Sequence, residues 1–267
     1  MAMPAAIDTE MPARHLLLSS RPSRRPMIDD WFRPVELPIA FSEFVRLPRH
    51  PAYKYEYFGG RAVLSPRPRA WYAIVDLDAV GSDRPPSTRS DRVAIRPLQA
   101  GDWMDLPDLL AAAFRDVLPF GGLSDDERVK AARDCLDHTR TGGDGRLLEE
   151  ACFVAAETGV PAAGVIVVTL KDSPDTAADR AARPYLTWVM VSPRRFGQGL
   201  GTAMLRHAAT ALRTLGHREL ASTFLAGNER SAMWHWRNGF RLRPAPWGAA
   251  LVDIADRDAP FGAMEGR

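Results

Sequence analysis

Between Tyr185 and Leu215 the chain leaves a strand, crosses three alternate glycines and enters a helix. Few folds accommodate that order. Tyr185–Val191 is β-prone, Gly197, Gly199 and Gly201 form the turn, and an amphipathic run follows to about Leu215. Glycine adopts φ values that a Cβ forbids and lets the backbone approach a ligand closely. Unpaired amides at the start of a helix, with the macrodipole behind them, make a site for an anion such as a phosphate. The spacing Gly197-Gln198-Gly199-Leu200-Gly201 does not fit the dinucleotide fingerprint G-x-G-x-x-G, and the loop G-x-x-x-x-G-K-[ST] is absent.

The rest of the chain reads as a mixed α/β fold with a small β-containing appendage in front. Residues 1–29 hold four prolines and little periodicity, which predicts a flexible tail. In 30–80 the runs Tyr53–Phe58 and Arg61–Leu64 flank Gly59-Gly60, a hairpin signal, and Trp71–Leu77 is a further strand. Some fifty ordered residues are too few for a comfortable independent core. A module docked on the main domain, helping to shape its acceptor pocket, is therefore expected there. The turn formers and prolines of 81–91 read as a linker.

From 92 to 267 the elements follow in the order β-α-α-β-β-β-α-β-α-β. Val93–Arg96 is a strand; Asp102 is expected to cap a helix to about Asp116, and Ser124 a second one with Glu127 completing a capping box. Strands follow at Phe153–Glu157, Ala162–Leu170, Tyr185–Val191 and Leu220–Phe224, with a short helix at Glu229–Arg237.

Composition removes several classes of function. The 267 residues carry 35 basic and 33 acidic side chains, a formal net charge of +2, so no global basic field points to nucleic acid. Cys135 and Cys152 are too few for a disulfide framework or a zinc site. No G-x-S-x-G or H-E-x-x-H is present. The longest apolar stretch, Val160 to Leu170, is well short of the ~18 residues of a membrane span. The start of the chain has acids and no apolar core of a secretory signal. A cytoplasmic protein without metal, membrane or nucleic-acid partner is expected.

Val191-Ser192-Pro193-Arg194-Arg195-Phe196-Gly197-Gln198-Gly199-Leu200-Gly201 resembles motif A of the GCN5-related N-acetyltransferase (GNAT) superfamily, V-x-P-x-x-[RQ]-x-x-G-x-[GA]. Downstream, Asn228 to Phe240 is similar to the family's N-x-x-[AS]-x-x-x-Y-x-x-x-G-F. The resemblance covers about 165 residues and implies a GNAT-like central mixed sheet flanked by helices. It implies acetyl-CoA as cosubstrate, in an opening between the strands Tyr185–Val191 and Leu220–Phe224. The pyrophosphate would lie on the amides of Gly197, Gln198, Gly199, Leu200, Gly201 and Thr202. Val189 and Val191 would pair with the pantetheine amides, and Asn228 would contact the cosubstrate near its reactive end. The acceptor would be a primary amine of a small molecule or peptide, and the protein a monomer or homodimer.

Two positions depart from the family pattern. The Arg or Gln before the glycines is Phe196, so either Arg194 or Arg195 reaches the phosphates or Phe196 simply packs. The family's Tyr falls on His235, which is either the acid that protonates the departing thiolate or a ring packed between Trp234 and Trp236. No carboxylate lies between Tyr185 and Val191; Glu157 is the best-placed base by topology, with Asp116 and Asp125 behind it, unless water relays the proton. A non-catalytic acyl-CoA-binding or regulatory module is the alternative.

Overall fold

The computed structural model describes residues 34–50, 52–67, 69–81, 93–118, 120–157, 160–171, 182–244 and 251–253. The tail at 1–29 and most of the linker at 81–91 lie outside them.

A small antiparallel sheet comes first. Strands β1 (Val35–Leu37), β2 (Tyr53–Phe58) and β3 (Arg61–Pro66) lie in the order β1-β3-β2, with a one-turn helix α1 (Phe41–Phe44) before β2. The expected hairpin is present: Gly59 and Gly60 have φ of 59° and 77°, the paired left-handed geometry a two-residue turn requires. Phe41, Phe44 and Tyr57 pack ring to ring beside it.

β4 (Arg69–Asp76) belongs elsewhere. It joins a nine-stranded sheet, antiparallel to β10 (Glu219–Leu225) in a register running from Asp76↔Glu219 to Ala70↔Leu225. The appendage expected over 30–80 is therefore divided: 35–66 forms the small sheet, while 69–80 is part of the main one. The reason is in the alternation. Ala70 and Tyr72 are buried on one face, Ala73 and Val75 on the other, so β4 needs cover on both sides.

The remaining strands are β5 (Ala94–Pro97), β6 (Arg146–Leu147), β7 (Phe153–Ala156), β8 (Gly164–Lys171), β9 (Arg183–Val191), β11 (Arg241–Leu242) and β12 (Leu251–Asp253). The sheet runs β11-β4-β10-β9-β8-β7-β5, with β12 beside β4 and β6 beside β8. Every pairing is antiparallel except β9–β10.

Helices cover both faces. α2 (Leu106–Ala113) and α3 (Asp125–Arg140) pack Leu106, Leu110 and Leu136 against Val165, Val167 and Met190. On the other face α4 (Leu200–Thr214) packs Met204, Leu205 and Leu212 against Ile166, Val168 and Leu186. α5 (Glu229–Arg237) lies on the α4 side, where Ala232 and Trp234 join the same core. Ser124 and Glu127 form the expected capping box at α3, the Ser124 amide donating to Glu127 at 3.0 Å. Asp102 differs from expectation. It lies in a 3-10 turn, Ala100–Met104, and accepts both Arg96 guanidinium nitrogens at 2.7 Å. Pro107 fits only the first turn of a helix, so α2 begins at Leu106.

Candidate functional site

β9 and β10 are paired only at Tyr185↔Ala221 and Leu186↔Ser222, and beyond that point they part. A bulge helps to turn β9 away. Its register on β8 passes from Trp188↔Val167 to Leu186↔Val168 and skips Thr187. The Thr187 hydroxyl is 2.8 Å from that of Thr169, whose side chain is fully buried. The next residue, Trp188, donates its indole N–H to Thr139 at 2.8 Å, and Thr139 donates to the Asp144 carboxylate at 2.6 Å. The stretch from Thr187 to Val191, which includes Val189, thus borders the opening without a partner strand on the β10 side.

The glycine turn closes one end of this opening. After a 3-10 turn, Pro193–Arg195, Gly197 and Gly199 have φ of 74° and 81°, and a Cβ at either would meet nothing within 4 Å. Their freedom from side chains leaves the approach to α4 clear. Gly199 is the N-cap, its carbonyl accepting the Ala203 amide at 2.9 Å. The amides of Leu200, Gly201 and Thr202 ahead of Ala203 have no acceptor within the helix. Leu200 anchors the turn from below as a buried core residue, and the Gln198 amide group ties it to the Arg194 carbonyl at 3.2 Å.

Gly201 serves a different purpose. A Cβ there would come within 2.9 Å of Nε1 of Trp234 on α5. That indole N–H is buried and has no hydrogen-bond partner among the described residues.

The two arginines before the glycines do not act alike. Arg195 forms an ion pair with Glu157 at the end of β7, both side chains being partly exposed. Phe196 is partly exposed, with the Arg230 guanidinium 4.8 Å above its ring. Glu157 therefore sits at the end of a strand separated from β10 by β9 and β8, neutralising a cation of the turn. That pairing disfavours the role of base expected of it. Asp116 is exposed after α2, and Asp125 is exposed and paired with Arg115 and Arg128 at the start of α3. Neither is brought to the opening.

α5 closes the other side. Asn228 is its N-cap, Oδ1 accepting the Ser231 amide at 3.1 Å. His235 is 2% exposed. Its Nδ1 donates to the Ser231 carbonyl at 2.8 Å, which leaves Nε2 to accept the Ser222 hydroxyl at 2.9 Å. Phe224 stacks on the ring at 4.3 Å, with Trp234 and Phe240 edge-on. Burial lowers its pKa to about 4, against a smaller opposing effect of the Ser231 bond. A neutral imidazole with both nitrogens engaged favours the packed alternative over the general acid expected of His235, the ring lying against Phe224, Trp234 and Phe240.

A cleft of ≈ 350 Å³ is walled by Trp71, Phe224, His235, Trp236 and Phe240. Trp71 comes from β4, and nothing local in the sequence places it there. Cys135 and Cys152 stand apart from the opening, their thiols pushed up to about 12 mainly by burial. Among the described residues no group of His, Cys, Asp or Glu is placed to hold a metal ion, and no helix is long and apolar enough to cross a membrane.

Residues 113–240 match the acetyltransferase (GNAT) family. No curated protein sequence matches the chain. Among solved structures, a GCN5-related N-acetyltransferase from Sphaerobacter thermophilus is 16% identical, over 79% of this chain and 57% of that one, with a TM-score of 0.43. A GNAT family acetyltransferase from Brucella melitensis in complex with acetyl-CoA is 23% identical, over 49% and 75%, at 0.37. An N-acetyltransferase from Thermoplasma acidophilum in complex with coenzyme A is 13% identical, over 57% and 92%, at 0.41. The chain thus spans little more than half of the Sphaerobacter protein.

Proposed function

We propose, from the match of residues 113–240 to the acetyltransferase (GNAT) family, that this chain transfers an acetyl group from acetyl-CoA directly to a primary amine of a small molecule or peptide. The cytoplasm is its proposed location, and a monomer or homodimer its proposed state. The observation that carries the reading is the parting of β9 and β10 beside a helix whose first amides point past two glycines with no side chain in the way. An extended, phosphorylated cosubstrate fits that shape. Its pyrophosphate is assigned to the amides from Gly197 to Thr202, where the α4 dipole favours negative charge. Its pantetheine arm is assigned to the unpaired edge of β9 at Val189 and Val191, and Asn228 has its side-chain N–H₂ left to donate while Oδ1 caps α5.

The bound thioester supplies an activated acyl group; the chain positions it and excludes water. The amine lone pair attacks the carbonyl carbon, a C–N bond forms, the C–S bond breaks, and the thiol group leaves as thiolate. A thiol of ordinary pKa near 8.5 is an adequate leaving group without an acid. The proton lost by the amine goes to solvent, since Glu157 and His235 are both engaged elsewhere. A β9 amide near Val189 donates to the carbonyl oxygen as charge develops on it.

That same engagement of Glu157 and His235 favours a second reading, an acyl-CoA-binding module without catalysis. Both readings are tested by calorimetric titration of the full chain with acetyl-CoA and desulfo-CoA, followed by thiol release over a broad amine panel. Saturable binding that Gly199→Glu abolishes, with thiol release for at least one amine, is the expected result. Binding without release for any amine selects the second reading, and absence of binding at high micromolar concentration overturns both.

A further inference from the structure

Trp234 has a feature that packing alone does not require. Its indole lies against the first turn of α4 and contributes to the core on that side of the sheet. A phenylalanine or leucine would supply apolar bulk there without a polar atom. The indole brings an N–H that is buried and unpartnered among the described residues, and leaving such a donor unsatisfied is costly. Gly201 belongs to the same arrangement: it alone of the three alternate glycines has a neighbour where its Cβ would be, and that neighbour is Nε1 of Trp234. Glycine at 201 and tryptophan at 234 thus bring an unused side-chain donor against a turn whose amides are unused as well.

Resting on the acetyl-CoA reading above, we propose that Trp234 is a cosubstrate-binding residue, its indole N–H donating to a pyrophosphate oxygen held at the first turn of α4. Gly201 presents no Cβ between the indole and the first turn of α4. The charge of the acceptor makes the bond stronger than a neutral one. The orphaned donor of the free protein is then satisfied in the complex, so part of the cost of burying it is recovered on binding.

The test separates packing from binding. β-(3-Benzothienyl)-alanine placed at position 234 keeps the ring volume and replaces only the N–H; Trp234→Phe is the simpler companion. The readouts are the Kd for CoA by calorimetry and the melting temperature of the free protein. The benzothienyl variant is expected to bind CoA roughly tenfold more weakly, with the free protein melting no lower than wild type. Gly201→Ala, which drives the indole aside, is expected to weaken CoA binding similarly. S-acetylpantetheine, which lacks the pyrophosphate, is expected to bind wild type and the benzothienyl variant alike. An unchanged Kd for CoA in the benzothienyl variant, while wild type binds, overturns the role of Trp234 and leaves the acetyl-CoA reading standing. A wild-type chain that does not bind CoA overturns both.

Discussion

His235 makes the stability of this chain depend on pH in a calculable way. Its pKa is lowered from 6.5 to about 4 in the folded protein, chiefly by burial. The unfolded chain therefore takes up the proton first as pH falls. The stabilising contribution of the neutral ring is fully present above pH 6.5 and is lost progressively as pH falls to about 4. A shift of this size corresponds to roughly 3 kcal/mol, at ~1.4 kcal/mol per pH unit within the window. For a chain of this length that amounts to a fall of roughly 10 °C in Tm. Carboxylates titrate in the same range, so the measurement is a difference: urea unfolding of wild type and His235→Phe at intervals from pH 7.5 to 4. Phenylalanine retains the stack on Phe224, and the Ser222 hydroxyl still has the Leu186 carbonyl at 3.4 Å. The variant is expected to start lower at pH 7 but to lose roughly 3 kcal/mol less on acidification. Parallel curves would refute the reasoning, as would an imidazole resonance of His235 titrating near pH 6.5. The same depressed pKa leaves roughly one molecule in a thousand protonated at pH 7. Turnover should accordingly show no limb near 6.5 that His235→Phe removes.

Glu157→Gln separates an ion pair from a base. Loss of the partly exposed pair with Arg195 is expected to cost less than about 1 kcal/mol and to leave kcat within about threefold, measured by thiol release; a fall of 10² or more would make Glu157 the base. With both thiols pushed up to about 12, Cys135 and Cys152 are expected to stay unlabelled by a chromogenic disulfide reagent at pH 8 until the chain is unfolded. Rapid labelling of either in the native protein would contradict their burial.

What could be read from the sequence and what could not divides by distance along the chain. The Gly59-Gly60 hairpin, the Ser124–Glu127 box and the glycine turn into α4 each depend on residues within a few positions of one another, and local backbone chemistry determines them. The capping of α2 was misread because Asp102 has the right side chain, while Pro107 sets where a helix is able to start. The chemistry at His235 depends on Ser222 and Phe224, which reach it only when β10 lies beneath α5. Burial is what turns a candidate acid into a neutral hydrogen-bonding group, and burial is a property of the assembled sheet. Glu157 and Arg195 are 38 residues apart in sequence, so their pairing is equally invisible to spacing arguments. Trp234 carried no signal beyond its residue type, yet its orphaned N–H is a direct observation once Gly201 is seen against it.

The place of β4 has the largest consequence, because it contradicts a division of the chain that composition favours. If 30–80 were a docked module, residues 93–267 would fold alone. In the structure β4 instead separates β11 and β12 from β10, and among the described residues those C-terminal strands pair only with it. β4 and the turn after it bury Tyr72, Val75 and Leu77 to 2% exposure or less. Burial of three such side chains stands for roughly 5–9 kcal/mol, comparable with the whole ~5–15 kcal/mol stability of a domain. Removing them also leaves the full edge of β10 unpaired beside the opening, a template for association between chains. A chain beginning at Val93 is therefore expected to be insoluble or to lack a cooperative melt, while one beginning at Arg69, which lacks only the small sheet, is expected to melt cooperatively. Circular dichroism melts and light scattering on the two truncated chains distinguish the cases. A soluble 93–267 fragment with a sharp transition would show that β4 is dispensable and that the proline-rich stretch is a domain boundary after all.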